Sequence, residues 1–388
     1  MSIYKLFFKV STAMSALLLM PAVLQAALPS TPLNDEFTTS SNETVPASWW
    51  WKLDIGATGT WNIVGDLAQV NWGYSGGQSK ILTGSGTINI GSETESGSLY
   101  IMGSNPPSAD NWVSIVSFNG TVNVGKMGSF TFGGSYISRW GKVSHIDTLN
   151  INGGIISVMA DSGNTSYFCV KNLDIRDGGL MESALSLQSY SGGVWNLYTD
   201  GVKSSLLRVG NGNTTLNLYG QDVLRNLPRI SFDENTGSVL RMNVSADNSF
   251  STFEFNSNGV LELAIAEGAS LKIKKLTTKN GTKSISNAEI VFYGYNADAF
   301  LLEDSTLTAE DDKLYVPSVD SYIKLTAYDE SGNLLVGDWV YEWSDELGVG
   351  KLVLNAVPEP EAAAVLLGVL ALAFVVRRRK KYFFVLGK

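Results

Sequence analysis

The sequence predicts an all-β chain wound into a right-handed parallel β-helix, and three observations carry that expectation. The first is composition: 39 glycines stand among abundant Ser, Thr and Asn, and long runs of Ala, Glu and Lys are missing. These residues favour turns and pleated strands over helices. The second is a strand motif that returns along the chain. It reads Thr87-Ile88-Asn89-Ile90-Gly91, Thr121-Val122-Asn123-Val124-Gly125, Thr148-Leu149-Asn150-Ile151-Asn152 and Asn172-Leu173-Asp174-Ile175-Arg176. It continues as Val194-Trp195-Asn196-Leu197-Tyr198, Thr215-Leu216-Asn217-Leu218-Tyr219 and Leu240-Arg241-Met242-Asn243-Val244. The third is spacing: between the central polar residues the steps are 34, 27, 24, 22, 21 and 26. A short repeat built of strands and turns is what a β-solenoid leaves in a sequence. Alternation with period two sends the aliphatic side chains inward and Thr and Asn outward. An antiparallel β-sandwich, with the glycine pairs as hairpin turns, is the competing architecture.

In chain order, residues 1–26 read as a secretory signal peptide. Lys5 and Lys9 form its basic start, Val10 to Leu19 its apolar core, and Leu24-Gln25-Ala26-Ala27 a small-residue cleavage site. Residues 27–86 form a polar leading segment and a Trp-rich cap with Trp49, Trp50, Trp51, Trp61 and Trp72. Adjacent residues of a strand point to opposite faces, so Trp49, Trp50 and Trp51 are either candidate carbohydrate-stacking residues or an apolar cover over the first turn. Residues 87–300 hold the repeats. Ile155 to Met159 and Leu206 to Val209 supply strands for another face of the coil. Gly133-Gly134, Gly153-Gly154, Gly178-Gly179 and Gly192-Gly193 suit corners that need positive φ. After Phe250 the motif loosens through Gly259 to Ile265, Ser270 to Leu276 and Ala288 to Tyr295. Residues 301–356 are expected to form a closing β cap, with Tyr322–Tyr328 and Trp339–Trp343 as a hairpin about the turn Asp329 to Asn333.

The last 32 residues, 357–388, have a different character. Pro358 and Pro360 disfavour helix and keep the approach extended. Ala362 to Val376 is an uncharged run of 15 residues, about 22 Å long as a helix. It falls short of a hydrocarbon core of roughly 30 Å, and arginine snorkelling and local bilayer thinning cover the shortfall. The cations Arg377, Arg378, Arg379, Lys380 and Lys381 follow directly and belong on the cytoplasmic side, which leaves the bulk of the chain outside. This order of parts resembles the PEP-CTERM sorting signal of Gram-negative bacteria. Pro358-Glu359-Pro360, the apolar helix and the basic cluster carry the resemblance, which is confined to the tail; Tyr382 to Lys388 run on past the cluster. The resemblance implies an exported protein handed to an exosortase-type membrane protease that cuts near the motif, and an association with exopolysaccharide and biofilm. With the Sec translocon as first partner, the expected course is export, inner-membrane anchoring by the tail, and then the cell surface or the medium.

Charge and rare residues narrow the function. Residues 27–360 keep 20 Lys+Arg against 36 Asp+Glu, a net of −16, and such a body repels nucleic acid. One cysteine, Cys169, allows no internal disulfide, so burial and hydrogen bonding must hold the fold. One histidine, His145, lies beside Ser144 and Asp147, but a triad is a spatial arrangement and sequence neighbours do not make one. A single His and a single Cys offer no metal site, and no phosphate-cradling loop is present; no catalytic residue, metal or cofactor is expected. Asp161, Asp174, Arg176 and Asp177 are the raw material for an acid/base pair or a Ca²⁺ site, but the expected reading is a solvated face at Asp174 and Arg176 with Asp161 and Asp177 in turns. The expected function is therefore a non-enzymatic structural or adhesion-type protein of the cell surface or extracellular matrix. The alternative is a secreted polysaccharide-binding or polysaccharide-degrading β-helix.

Overall fold

Parallel pairing dominates the backbone. The computed structural model describes residues 32–45, 53–66, 68–75, 82–104, 116–134, 144–160, 167–210, 212–232, 237–256, 258–278 and 287–356. The signal peptide, Trp49, Trp50, Trp51, Asp161, Pro358, Glu359, Pro360, the apolar run and the basic cluster lie outside them. The chain is all-β and forms a solenoid of about eight turns. Parallel partners exclude the hairpin sandwich, because strands joined by tight turns must run antiparallel. Among the described residues no helix is long and apolar enough to cross a membrane.

The chain divides into two units, residues 1–230 and 231–388. In the first, one side of the coil is a seven-stranded parallel sheet: Asn42–Val45, Gln69–Ser75, Gly97–Ser104, Gly128–Gly134, Ile155–Ala160, Leu180–Ser183 and Val202–Lys203. A second ladder runs through Glu36–Thr39, Thr60–Ile63, Thr87–Ile90, Val116–Val124, Ser144–Asn152, Tyr167–Arg176, Ser186–Leu197 and Asn213–Leu218. Its longer strands bend where the register shifts, between Ile146 and Thr148 and between Val170 and Asn172. Such bulges re-aim a strand without breaking it. The part before the bend pairs with Leu82–Gly84 at one end and Leu207–Val209 at the other. Ile155–Ala160 and Leu207–Val209 therefore belong to different sides of the coil. Apolar alternation marks a strand but does not say which side receives it.

The interior is the predicted one. Ile88, Val122, Leu149, Leu173, Trp195 and Leu216 occupy one buried column, and Ile90, Val124, Ile151, Ile175, Leu197 and Leu218 the next. Each fully buried side chain of this size contributes roughly 1.5–3 kcal/mol before conformational entropy is set against it. Phe130, Phe132 and Phe168 pack ring to ring between the two sides, with centroids 5.0 Å apart. Trp195 donates its indole N–H to the Val170 carbonyl at 3.2 Å, so its polar edge is satisfied inside the core. Gly153, Gly178 and Gly192 take the positive φ expected of corners. Gly133 and Gly134 instead lie inside a strand, where a Cβ on Gly133 would stand 2.4 Å from the Met159 carbonyl. That glycine serves close approach rather than a turn.

In the second unit Val239–Val244, Val260–Ile265, Glu289–Tyr293 and Ser321–Tyr328 pair in parallel, as do Asn248–Phe255, Leu271–Thr278 and Phe300–Leu302. Phe232, Phe253 and Phe255 form its buried aromatic cluster. Beyond Leu302, apart from the parallel contact of Ser321–Tyr328 with Glu289–Tyr293, the pairing turns antiparallel. Lys313–Val316 lies beside Ser321–Tyr328, and Gly337–Ser344 pairs with Val349–Ala356. The turn after Tyr328 does make a hairpin, but Tyr328 meets Leu334, and the strand carrying Trp339 and Trp343 pairs with Val349–Ala356 instead. The two-residue strand Leu334–Leu335 intervenes, and it is too short to announce itself in the sequence.

Candidate functional site

Three features come from the register. The first is a file of amides. Asn62, Asn89, Asn123, Asn150, Asp174, Asn196 and Asn217 stand opposite one another on successive strands. Asn62 donates to Glu36 Oε1 at 2.7 Å, Asn89 to Asn62 at 2.7 Å, Asn123 to Asn89 at 2.8 Å and Asn150 to Asn123 at 2.8 Å. Further along, Asn217 donates to Asn196 at 2.7 Å. A carboxamide can donate along the stack in one direction and accept from the other. Asp174 interrupts the run of amides. Its carboxylate accepts Nε and Nη2 of Arg176 at 2.6 Å each, and this pairing holds the guanidinium above its usual pKa. Asp174 and Arg176 are thus two outward positions on one solvated strand, as expected, and Asp177 occupies the following turn with φ 56°.

The second feature brings together residues that the sequence keeps 24 apart. His145 and Cys169 are direct partners on neighbouring strands. His145 Nε2 lies 2.7 Å from Asn119 Oδ1, which fixes the imidazole, and the Tyr190 ring meets it edge-on. The set resembles a nucleophile, a base and its orienting amide. The thiol, however, is only 2% exposed, lies 3.8 Å from Gln188 Oε1 and is hydrogen-bonded to Tyr190. Burial drives the Tyr190 phenol far above its normal range, so it stays neutral. A thiol under such a cover meets no substrate, and the cluster reads as packing.

The third is a groove of about 760 Å³ on the outer face of the seven-stranded sheet. Tyr100, Thr131, Ser157, Glu182 and Lys203 line it, each the register partner of the next. At about 4.8 Å between strands the file spans roughly 19 Å along the stack. Met159 lines the groove as well, 47% exposed, and Ile155, two residues before Ser157, is 45% exposed. Ser183 and Ser204 form the floor, and both hydroxyls donate to the Leu185 carbonyl at 2.9 Å. An open trough with a polar line and apolar shoulders can hold an extended, amphipathic chain.

The sequence did not announce this groove, only one strand of it. Ile155 to Met159 was legible as a strand, and period two turns Ile155, Ser157 and Met159 outward. What joins Tyr100 to Lys203 is the register of five strands, two of them four residues or shorter, and no sequence motif marks it. Among the described residues no group of three or more His, Cys, Asp or Glu could hold a metal ion. Comparison with protein-family models, with curated proteins and with solved structures finds no match.

Proposed function

We propose that this is an exported structural or adhesion-type protein of the cell surface or extracellular matrix. The Sec translocon takes it out, the C-terminal segment anchors it in the inner membrane, and an exosortase-type protease processes it at Pro358-Glu359-Pro360. The observation that carries this reading is the stack itself: in-register parallel strands tied by side-chain amides, with no disulfide. Stacked strands of this kind give a rigid surface suited to an exposed position. We read the coil as right-handed, the hand that parallel crossovers take almost without exception. The antiparallel strands of residues 301–356 act as its closing cap, hiding an edge that would otherwise template association.

The test is replacement of Pro358, Glu359 and Pro360 by alanine. An unprocessed form held in the membrane fraction is the expected result; unchanged mass and location would remove the sorting reading.

A second reading, a secreted polysaccharide-binding protein, is favoured by the groove from Tyr100 to Lys203. Among the described residues its lining holds one carboxylate, Glu182, whereas glycoside hydrolysis generally uses a pair. That favours binding over degradation. Trp49, Trp50 and Trp51 remain candidate carbohydrate contacts under this reading.

A further inference from the structure

We infer that the groove from Tyr100 to Lys203 takes a neutral, hydroxyl-rich glycan chain lying along the stack, with Tyr100 as its stacking platform. This rests on the polysaccharide-binding reading and names its ligand class. Three observations carry it.

The lining alternates by chemistry in the way a sugar chain does. Thr131 and Ser157 present hydroxyls at the centre of the file, Tyr100 a ring that is 38% exposed at one end, and Met159 an apolar flank. Sugar rings offer hydroxyls at their edges and C–H surfaces on their faces, so edge and face each find a counterpart. An apolar peptide would strip water from the hydroxyl file without replacing its hydrogen bonds.

Charge excludes the polyanions. Among the described residues the lining has one cation, Lys203, and its direct register partner is Glu182, so the pair presents no net charge. The surrounding body, residues 27–360, carries a net of −16. Uronate-rich or phosphorylated chains would approach a repelling field and find no unbalanced cation among the described lining residues. A neutral chain is indifferent to that field, and its hydroxyls can bridge Glu182 and Lys203 as acceptor and donor.

The shape fixes direction. Partners on successive strands line up along the stack, so a ligand that follows the file crosses strand after strand and runs the length of the trough.

The experiment is affinity electrophoresis of the full-length chain through gels containing a neutral β-glucan, a neutral mannan or alginate, each at low and at physiological salt. Retardation by a neutral polymer, unchanged by salt, is the expected result. Tyr100→Ala should weaken it about ten-fold, equivalent to about 1.4 kcal/mol. Tyr100→Phe should retain it, and Ser157→Leu, which fills the trough, should abolish it. Circular dichroism shows whether each variant keeps its β-structure, and Tyr322→Ala, an exposed tyrosine of the second unit, should behave as wild type. Retention by alginate alone, lost as salt rises, would overturn the neutral class while leaving glycan binding in place. Retention by a neutral polymer that Tyr100→Ala and Ser157→Leu both leave intact would overturn this groove as the site. No retention by any polymer would overturn the groove and the polysaccharide-binding reading together.

Discussion

Replacing Asn123 by alanine isolates what the amide file contributes. Asn123 donates to Asn89 and accepts from Asn150, at 2.8 Å in both cases. A hydrogen bond of this kind contributes about 0.5–1.5 kcal/mol net. Asn89 and Asn150 are half-buried on the outer face, so water can reach the groups left behind and no buried-unsatisfied penalty is added. The expected cost for the two bonds is therefore about 1–3 kcal/mol, against roughly 2–5 kcal/mol for Leu149→Ala in the core beneath. Because each turn contacts only its neighbours, the loss should be local. Amide hydrogen exchange reads it directly. Protection in Thr87–Ile90 and Ser144–Asn152 should fall about 5- to 150-fold, at about 1.4 kcal/mol per factor of ten, while Asn213–Leu218 keeps wild-type protection. Asn89→Ala combined with Asn123→Ala removes three bonds, not four, since one is shared. The double variant should therefore fall short of the sum by one bond, about 0.5–1.5 kcal/mol. Unchanged protection in the single variant, or strict additivity in the double, would refute the reasoning.

Two further outcomes are expected. Burial pushes the Tyr295 phenol up to about 12, and its hydroxyl donates to the Leu352 carbonyl and accepts from the Leu354 N–H. A raised pKa means that the neutral form is preferred in the fold. The stabilisation is then complete below about pH 10, the unfolded value, and is lost as the pH climbs from there towards 12. Tyr295→Phe should flatten that loss in an alkaline series of denaturant midpoints, though only in part, since burial raises Tyr341 as well. A curve of unaltered slope would show that Tyr295 does not titrate as argued. Gly91 and Gly178 both have positive φ, yet a Cβ on Gly91 would stand 2.5 Å from the Gly128 nitrogen and one on Gly178 would meet nothing. Alanine at 178 should cost about 1–2 kcal/mol from the left-handed backbone alone, and alanine at 91 distinctly more; thermal unfolding of the two variants should separate them in that order.

The parts legible in the sequence were those fixed by one strand at a time. Ile88, Asn89 and Ile90 announce an inside and an outside by alternation, and the same pattern at Val122, Asn123 and Val124 announces a second copy. Matching the copies predicted the stack, and the drift from 34 to 21 residues per step proved harmless because the strands keep register. Less legible was anything that needs partners from several strands. His145 and Cys169 lie 24 residues apart in sequence, and only the pairing of Ser144–Asn152 with Tyr167–Arg176 makes them neighbours. The groove needs Tyr100 and Lys203 in one file, and Val202–Lys203 is a strand of two residues with no pattern to read. Trp339 and Trp343 were legible as a strand, but the intervening Leu334–Leu335 took their expected place beside Tyr328.

The amide file has one more consequence, for how such a chain changes length over time. Every amide presents the same donor to one side and the same acceptor to the other, so Asn150 has no need to meet Asn123 in particular. Excising one complete coil, from Thr121 through Asp147, would bring Asn150 against Asn89 with the same chemistry and leave the seam unbroken. Duplication would do the reverse. Molecules of this construction can be lengthened or shortened by whole modules, their reach adjusted without redesigning a single join.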